Sequence, residues 1–278
     1  MKIGVIGFGV VGKAVANGFK NFGHSIYVYD VDENKLKEAK RKGYYITKTI
    51  NEIVDKTKVL FVCVPTSSNP DGSCNTSLVR NTVIEISRLA GEEKVLIIKS
   101  TLIVGTTDKL IEEVSKINPK VKIVFNPEFL RNGHANFDFL HPDRIVIGAY
   151  SRKAINIVRR LYKPFNSKIV VTDPRTAEMI KYASNAFLAT KVSFANQIRI
   201  ISEKLKINPK KVMDVVGMDK RINPSHLDPT KGPFGGKCLP KDLNALIRKT
   251  EELGIENILL KAVKKINEIT RKTYGKFK

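Results

Sequence analysis

In Phe234-Gly235-Gly236-Lys237-Cys238-Leu239-Pro240-Lys241-Asp242, a cysteine stands two residues before a proline that suits the first turn of a helix. At a helix N-terminus, with Lys237 and Lys241 nearby, the dipole and the ammonium groups favour thiolate. Asp242, four residues on, falls one turn along the same face, where a carboxylate can steer a water or a proton. Gly235 and Gly236 let backbone amides approach a ligand closely. Covalent nucleophilic chemistry is one reading of Cys238. A small buried apolar side chain, the commonest fate of a free cysteine, is the other, and local features leave both open. A second pair four residues apart, Lys181 and Asn185, lies in the mostly apolar helical pattern Glu178–Phe187. Such a lysine either snorkels to solvent or faces a polar pocket with the asparagine beside it.

The other chemistry-bearing string opens the chain. Gly7-Phe8-Gly9-Val10-Val11-Gly12 follows a strand pattern and begins a helical one. The first glycine permits the tight turn, the second lets backbone approach a pyrophosphate, and the third allows close packing of helix on strand. The helix N-terminus supplies the anion site. Asp30 ends the second strand pattern, eighteen residues after Gly12, where a carboxylate binds a ribose diol and repels a 2′-phosphate. NAD is therefore expected over NADP. Cys63 sits in an apolar strand pattern and reads as core; Cys74, in a polar stretch, reads as incidental. His24, His134, His141 and His226 show no metal-ligand spacing, and no metal is expected.

The elements that must position these residues fall into two halves. Strand patterns at Lys2–Ile6, Ser25–Tyr29, Val59–Val64, Val95–Ile98 and Val121–Phe125 alternate with amphipathic stretches at Val11–Phe22, Ser77–Leu89 and Thr107–Ile117. Continuous apolar strands alternating with helices predict a parallel sheet covered on both faces. Arg144–Gly148 and Lys168–Val171 read as further strands. From Thr176 the pattern turns helical, over 176–206, 209–216, 240–253 and 258–273. The Pro- and Gly-rich stretch 223–236 interrupts this half as a functional loop or a linker. The expected fold is α/β, a Rossmann-like doubly wound sheet over 1–174 followed by a helical domain over 175–278.

Composition agrees. The 278 residues are 42% hydrophobic and 27% charged, enough for about two domains. No apolar run approaches a membrane span and no signal peptide is evident, so a cytoplasmic protein is expected. Three cysteines without a CxxC pair fit a reducing compartment. The net charge of +22 favours anionic partners, but the basic residues are spread along the chain without interleaved aromatics. Neither nucleic acid nor membrane is an expected partner.

Together these strings resemble the UDP-glucose 6-dehydrogenase family, among the nucleotide-sugar dehydrogenases. The resemblance rests on Gly7–Gly12, Val64-Pro65-Thr66, Lys99-Ser100-Thr101, Asn126-Pro127-Glu128-Phe129-Leu130, Pro142-Asp143-Arg144, Lys181 with Asn185, Arg221 and Phe234–Asp242, in family order across nearly the whole chain. It implies oxidation of a sugar's primary alcohol to a carboxylate, with two NAD reduced in turn. Cys238 would attack the intermediate aldehyde, and the resulting thiohemiacetal would be oxidised to a thioester that water hydrolyses. Lys181 would stabilise oxyanion charge with Asn185 as second donor, Thr101 and Asp242 would position water, and Glu128 would serve acid–base steps or hydrolysis. Asp30, Lys35, Thr66, Thr101, Asn132 and Lys241 match cofactor contacts. Glu128, Phe129, Leu130, Lys181, Asn185, Phe234 and Gly235 match substrate contacts, as does Arg221, which in the family often reaches in from a neighbouring subunit. A homodimer built on the helices after Thr176 is implied as well.

Three departures stand out. Asn132 occupies the place of a second family glutamate and cannot take a proton. Pro233 stiffens the loop before Phe234. Family members continue into a further α/β domain that binds the nucleotide half of the substrate, whereas this chain ends at Lys278. A UDP-binding domain supplied in trans is thus a possible partner. A non-catalytic NAD-binding and dimerising fragment is the alternative reading, as is a GDP-mannose or UDP-N-acetylmannosamine dehydrogenase. A two-electron hydroxyacid dehydrogenase shares the expected plan, but one hydride transfer needs no thiol.

Overall fold

The computed structural model describes residues 1–275; positions 276–278, the end of the helical domain expected over 175–278, lie outside the described residues. The chain forms two compact units, one of residues 1–67 and 75–181, the other of residues 68–74 and 182 onward.

The first unit alternates strands and helices in chain order: β1 (Lys2–Ile6), α1 (Val10–Asn21), β2 (Ser25–Tyr29), α2 (Glu33–Arg41), β3 (Tyr45–Ile46), α3 (Ile50–Lys56) and β4 (Val59–Val62). Two-residue strands β5 (Ser67–Ser68) and β6 (Cys74–Asn75) form a small ribbon, and residues 68–74 between and within them belong to the second unit. The first unit continues with α4 (Ser77–Leu89), β7 (Lys94–Ile98), α5 (Thr106–Ile117), β8 (Val121–Phe125), α6 (Ala135–Leu140), β9 (Arg144–Gly148), α7 (Arg152–Tyr162), β10 (Lys168–Thr172) and the start of α8 (Pro174–Lys204).

The eight-stranded sheet has the order β10-β9-β8-β7-β4-β1-β2-β3. Alternate residues of β4 serve its two faces: Val59 and Phe61 join one apolar core, Leu60 and Val62 the other. β1 lies between β2 and β4, so the connections on its two sides leave in opposite directions and open a crevice at the strands' carboxyl ends. The expected all-parallel sheet needs one correction, because β9 meets β8 antiparallel, at Gly148 opposite Phe125. A parallel crossover would need a helix laid back across the sheet. Here the six-residue α6 packs instead on α1, with the Phe139 and Phe19 rings 5.7 Å apart, and β9 starts at the end where β8 stopped.

Three short helices escaped the sequence pattern: α6, α2 and α3. α2 buries only Ala39 and is started by Asp32, whose carboxylate accepts from the Asn34 amide at 2.9 Å. α3 is started likewise by Thr49, which accepts from Glu52 N at 3.2 Å. Both are fixed by capping rather than by a broad apolar face.

The second unit takes the rest of α8, then α9 (Pro209–Gly217), α10 (Leu239–Glu252) and α11 (Ile258–Tyr274). A small core of Ala195, Met213 and Leu227 supports it. The stretch 223–236 is a pinned loop rather than a linker. Lys191 donates to the carbonyls of Ile222 and Asn223, Asn196 to that of Gly232 at 2.8 Å, and Asn267 to that of Phe234 at 3.1 Å. Among the described residues no helix is long and apolar enough to cross a membrane.

Candidate active site

The glycine loop between β1 and α1 has the shape its sequence requires. Gly7 has φ +91°, and a Cβ there would meet the Cys63 carbonyl oxygen at 2.8 Å. A Cβ on Gly12 would lie 1.9 Å from the Gly7 carbonyl oxygen, so only glycine lets α1 sit this close to β1. Around Gly9 a Cβ would meet nothing within 4 Å. Gly9 also caps α1 without a side chain, and no acidic residue occupies the first turn that begins with Val10 and Val11. The loop thus presents backbone amides to open space at a helix N-terminus, a fit for a dinucleotide's pyrophosphate.

Asp30 follows β2 directly and is buried, accepting from the Phe8 amide at 2.6 Å and the Asp32 amide at 2.9 Å, with Lys35 Nζ at 3.3 Å. The Phe8 amide is therefore committed to Asp30, and its ring is core, packed edge-on to Tyr44. Val10 is exposed and Val11 half-buried. Thr66 and Thr101 are half-buried in the loops after β4 and β7.

A second cluster in the same unit gathers around Lys181, a buried residue on α8. Its ammonium donates to the Glu128 carbonyl at 2.7 Å and to Glu128 Oε1 at 2.8 Å, and the Leu130 amide donates to Glu128 Oε2 at 2.6 Å. Lys181 therefore does not snorkel to solvent, and Asn185 pairs elsewhere, with Asp242. Burial works to raise the Glu128 pKa, but Lys181, the Leu130 amide and Lys99 outweigh it and hold the carboxyl below the usual carboxylate range. The Phe129 ring carries the Arg144 guanidinium at 4.0 Å on its face, with Lys181 Nζ at 5.6 Å. Asn132 is exposed in the turn that follows.

Glu128 rests on a support that had no assigned role in the sequence pattern. Lys99, at the end of β7, is buried and donates to Asn126 Oδ1 at 3.1 Å and to the Pro127 carbonyl at 3.2 Å. Tyr162 donates to the same Asn126 oxygen at 2.6 Å, and Asn126 donates on to the Val146 carbonyl. Burial lowers the Lys99 pKa to about 8 and pushes the half-buried Cys63 thiol up to about 12. Glu178, one turn before Lys181, is fully buried and accepts from Gly105 N (2.6 Å), Thr107 N (2.8 Å) and Thr107 Oγ1 (2.6 Å) at the start of α5. Burial raises its pKa to about 7 against these three donors. Lys99 and Asn126 stood inside recognised strings, so a polar residue at a strand's carboxyl end was the available signal. Glu178 gave none.

The second unit holds the cysteine. Cys238 is the N-cap of α10 and is exposed, with Pro240 in the first turn as its spacing predicted. The Asp242 amide donates to the Cys238 carbonyl at 2.9 Å. The Asp242 carboxylate is buried, one oxygen accepting from Asn185 Nδ2 and the other from Lys241 Nζ, both at 2.6 Å. Burial opposes the charge on Lys241, but Asp242 dominates and raises its pKa, with Cys74 and Cys238 acting in the same direction. Asn185, Asp242 and Lys241 thus form one hydrogen-bonded chain in the first turn that Cys238 caps. The Phe234 ring is buried and Gly235 half-buried, leaving the glycines and Lys237 on the accessible side of the loop. Arg221 stands apart, its side chain 88% exposed and paired with Asp219 at 2.6 Å in its own turn. Cys74 corrects an expectation: it is buried in β6, where ribbon pairing covers it, rather than standing in an open polar loop. Among the described residues, no group of three or more His, Cys, Asp or Glu side chains could hold a metal.

Comparison with known proteins converges on one family. Residues 38–166 match the NAD binding domain of the UDP-glucose/GDP-mannose dehydrogenase family, and residues 175–269 match its central domain. UDP-glucose 6-dehydrogenase YwqF of Bacillus subtilis (strain 168) is 37% identical over 291 residues, covering 96% of this chain and 66% of that protein. UDP-glucose 6-dehydrogenase TuaD of the same organism is 34% identical, with 97% and 63% covered. The solved UDP-glucose dehydrogenase of the hyperthermophilic archaeon Pyrobaculum islandicum superposes with TM-score 0.88 at 35% identity, over 96% of this chain and 68% of that one. This chain spans about two thirds of the length of these curated relatives. It belongs to the UDP-glucose/GDP-mannose dehydrogenase family and carries that family's NAD binding and central domains.

Proposed function

We propose that the chain is the NAD-binding and cysteine-bearing part of an enzyme that oxidises UDP-glucose to UDP-glucuronate through a covalent intermediate on Cys238. The observation that carries this reading is the start of α10, where the N-cap Cys238 stands one turn before an ammonium–carboxylate–amide chain of Lys241, Asp242 and Asn185. A helix N-terminus and a nearby ammonium favour thiolate, the form that attacks a carbonyl.

NAD, when bound, accepts hydride from the sugar carbon. The Gly7–Gly12 loop would hold its pyrophosphate and Asp30 its ribose diol, with Lys35, Thr66, Thr101 and Lys241 as further cofactor contacts. Lys181 would stabilise alkoxide and oxyanion charge, with Asn185 as the second donor. Cys238 adds to the aldehyde to give a thiohemiacetal, whose loss of hydride leaves a thioester. Glu128, kept ionised by Lys181, would deprotonate the water that releases the carboxylate, with Thr101 and Asp242 orienting it. Phe129, Leu130, Phe234 and Gly235 would shape the sugar site. Arg221 would serve the neighbouring subunit of a homodimer, in keeping with its exposure. We read the three reduced cysteines as those of a cytoplasmic protein.

The test is NADH yield per limiting UDP-glucose, with Cys238→Ala alongside. Two NADH per sugar, lost in the variant, supports the thioester route; one NADH regardless of Cys238 overturns it. GDP-mannose belongs in the same assay, since a GDP-mannose dehydrogenase of Pseudomonas aeruginosa shares the fold with TM-score 0.75 at 27% identity.

A further inference from the structure

The ribbon that carries Cys74 runs along the helix that Cys238 caps. The tip of the β5–β6 ribbon follows one face of α10: Asp71 meets Arg248 at 3.7 Å, and a Cβ on Gly72 would lie 3.7 Å from the Asn244 Cβ. On this face, positions 248, 244 and 241 step back toward the N-cap. From Asn244 to Cys238 the helix rises about 9 Å, and from Gly72 to Cys74 an extended chain climbs about 7 Å. The ribbon therefore delivers Cys74 at the first turn of α10, where the Lys241 ammonium feels both sulfur atoms. Both cysteines are reduced, with Cys238 exposed and Cys74 buried. Cys63 belongs to the other unit, its thiol held protonated by burial.

We propose that Cys74 is a resolving cysteine, and that peroxide converts Cys74 and Cys238 into a reversible disulfide that switches the nucleophile off and shields it from irreversible oxidation. The Cys238 thiolate attacks one peroxide oxygen, the O–O bond breaks and hydroxide leaves, giving a sulfenic acid. The Cys74 sulfur then attacks the Cys238 sulfur. The S–S bond forms as the S–O bond breaks, and the hydroxyl leaves as water with the Cys74 proton. Two thiols thus lose two electrons to one peroxide, which becomes two waters. A dithiol reverses the step.

The inference rests on reading Cys238 as a thiolate nucleophile, but its test is a mass and a thiol count, so a chain without turnover still answers it. The purified chain is treated with hydrogen peroxide, digested, and compared with Cys74→Ser and Cys238→Ser. The expected result is a peptide pair joined through Cys74 and Cys238, a fall in denatured thiol count from three to one, and full recovery with dithiothreitol. In Cys74→Ser, Cys238 should pass to sulfinic and sulfonic acids that dithiothreitol does not reverse. In Cys238→Ser, Cys74 should stay reduced at the same peroxide dose. Over-oxidation of Cys238 at equal rates with and without Cys74 would overturn the proposal, as would disulfides only between chains.

Discussion

Two buried ionisable residues give the chain opposite pH dependences. Glu178 has a folded pKa of about 7 against an ordinary value of 4.5. Between those values the folded state holds a proton that the unfolded state releases, so stability falls as pH rises, by about 3 kcal/mol in all. Lys99 has a folded pKa of about 8 against 10.5. There the unfolded state binds the extra proton, so stability rises between pH 8 and 10.5, again by about 3 kcal/mol. Denaturant unfolding of the wild type, Glu178→Gln and Lys99→Met across pH 5 to 10 separates the two slopes. Each should vanish in its own variant and persist in the other. A flat difference for Glu178→Gln between pH 5 and 8 would mean that three hydrogen-bond donors keep the carboxylate ionised despite its burial.

At the scale of elements, the glycine loop separates folding from binding. Gly12→Ala forces a carbon into the Gly7 carbonyl and should cost about 3 kcal/mol or more of stability. Gly9→Ala meets open space in an extended conformation that alanine adopts freely, so its thermal midpoint should match the wild type. If that space receives pyrophosphate, NAD affinity should fall about tenfold or more in Gly9→Ala, measured by calorimetry. Unchanged affinity would move the cofactor elsewhere. This loop was legible in sequence because the whole device is local: strand, three glycines and helix follow one another. Cys238 at the start of α10 was legible for the same reason, with Pro240 and Asp242 within four residues. The reversal at β9 was not, because it depends on α6 finding α1 through Phe139 and Phe19. Lys99, Glu178 and Cys74 were hidden likewise. Their partners lie 27, 71 and more than 160 positions away, at Asn126, Thr107 and the α10 turn. α2 was missed because nine residues with one buried alanine carry almost no periodicity.

At the scale of the whole molecule, the +22 charge has no single focus, the basic residues being spread along the chain. The second unit also exposes a row of apolar side chains along α8, with Phe187, Phe194 and Ile201, and Leu205 just past its end, each at least 45% exposed. The first three repeat every seven residues, the spacing of a helix seam that packs on another helix. In the proposed homodimer this row is covered. Sedimentation should then give a dimer for the wild type, and Phe194→Asp should give a folded monomer with an unchanged glycine loop and unchanged NAD affinity. A monomeric wild type at micromolar concentration would remove the second copy from the functional reading.

Besides Lys181 on α8, two lysines of the sheet are stored out of reach. Lys94, at the sheet's amino edge, donates to the Val54 and Thr57 carbonyls at the end of α3, and Lys99, at its carboxyl edge, to Asn126 and Pro127, each with at most 4% exposure. In an amine-acylation time course the solvated lysines label at once, while these two label only when the sheet opens around them. Once open, both amines are ordinary in reach but buried in origin, so their lag is a clock. Read peptide by peptide, it times the opening of β7 from its first residue to the one just past its last, without any unfolding agent.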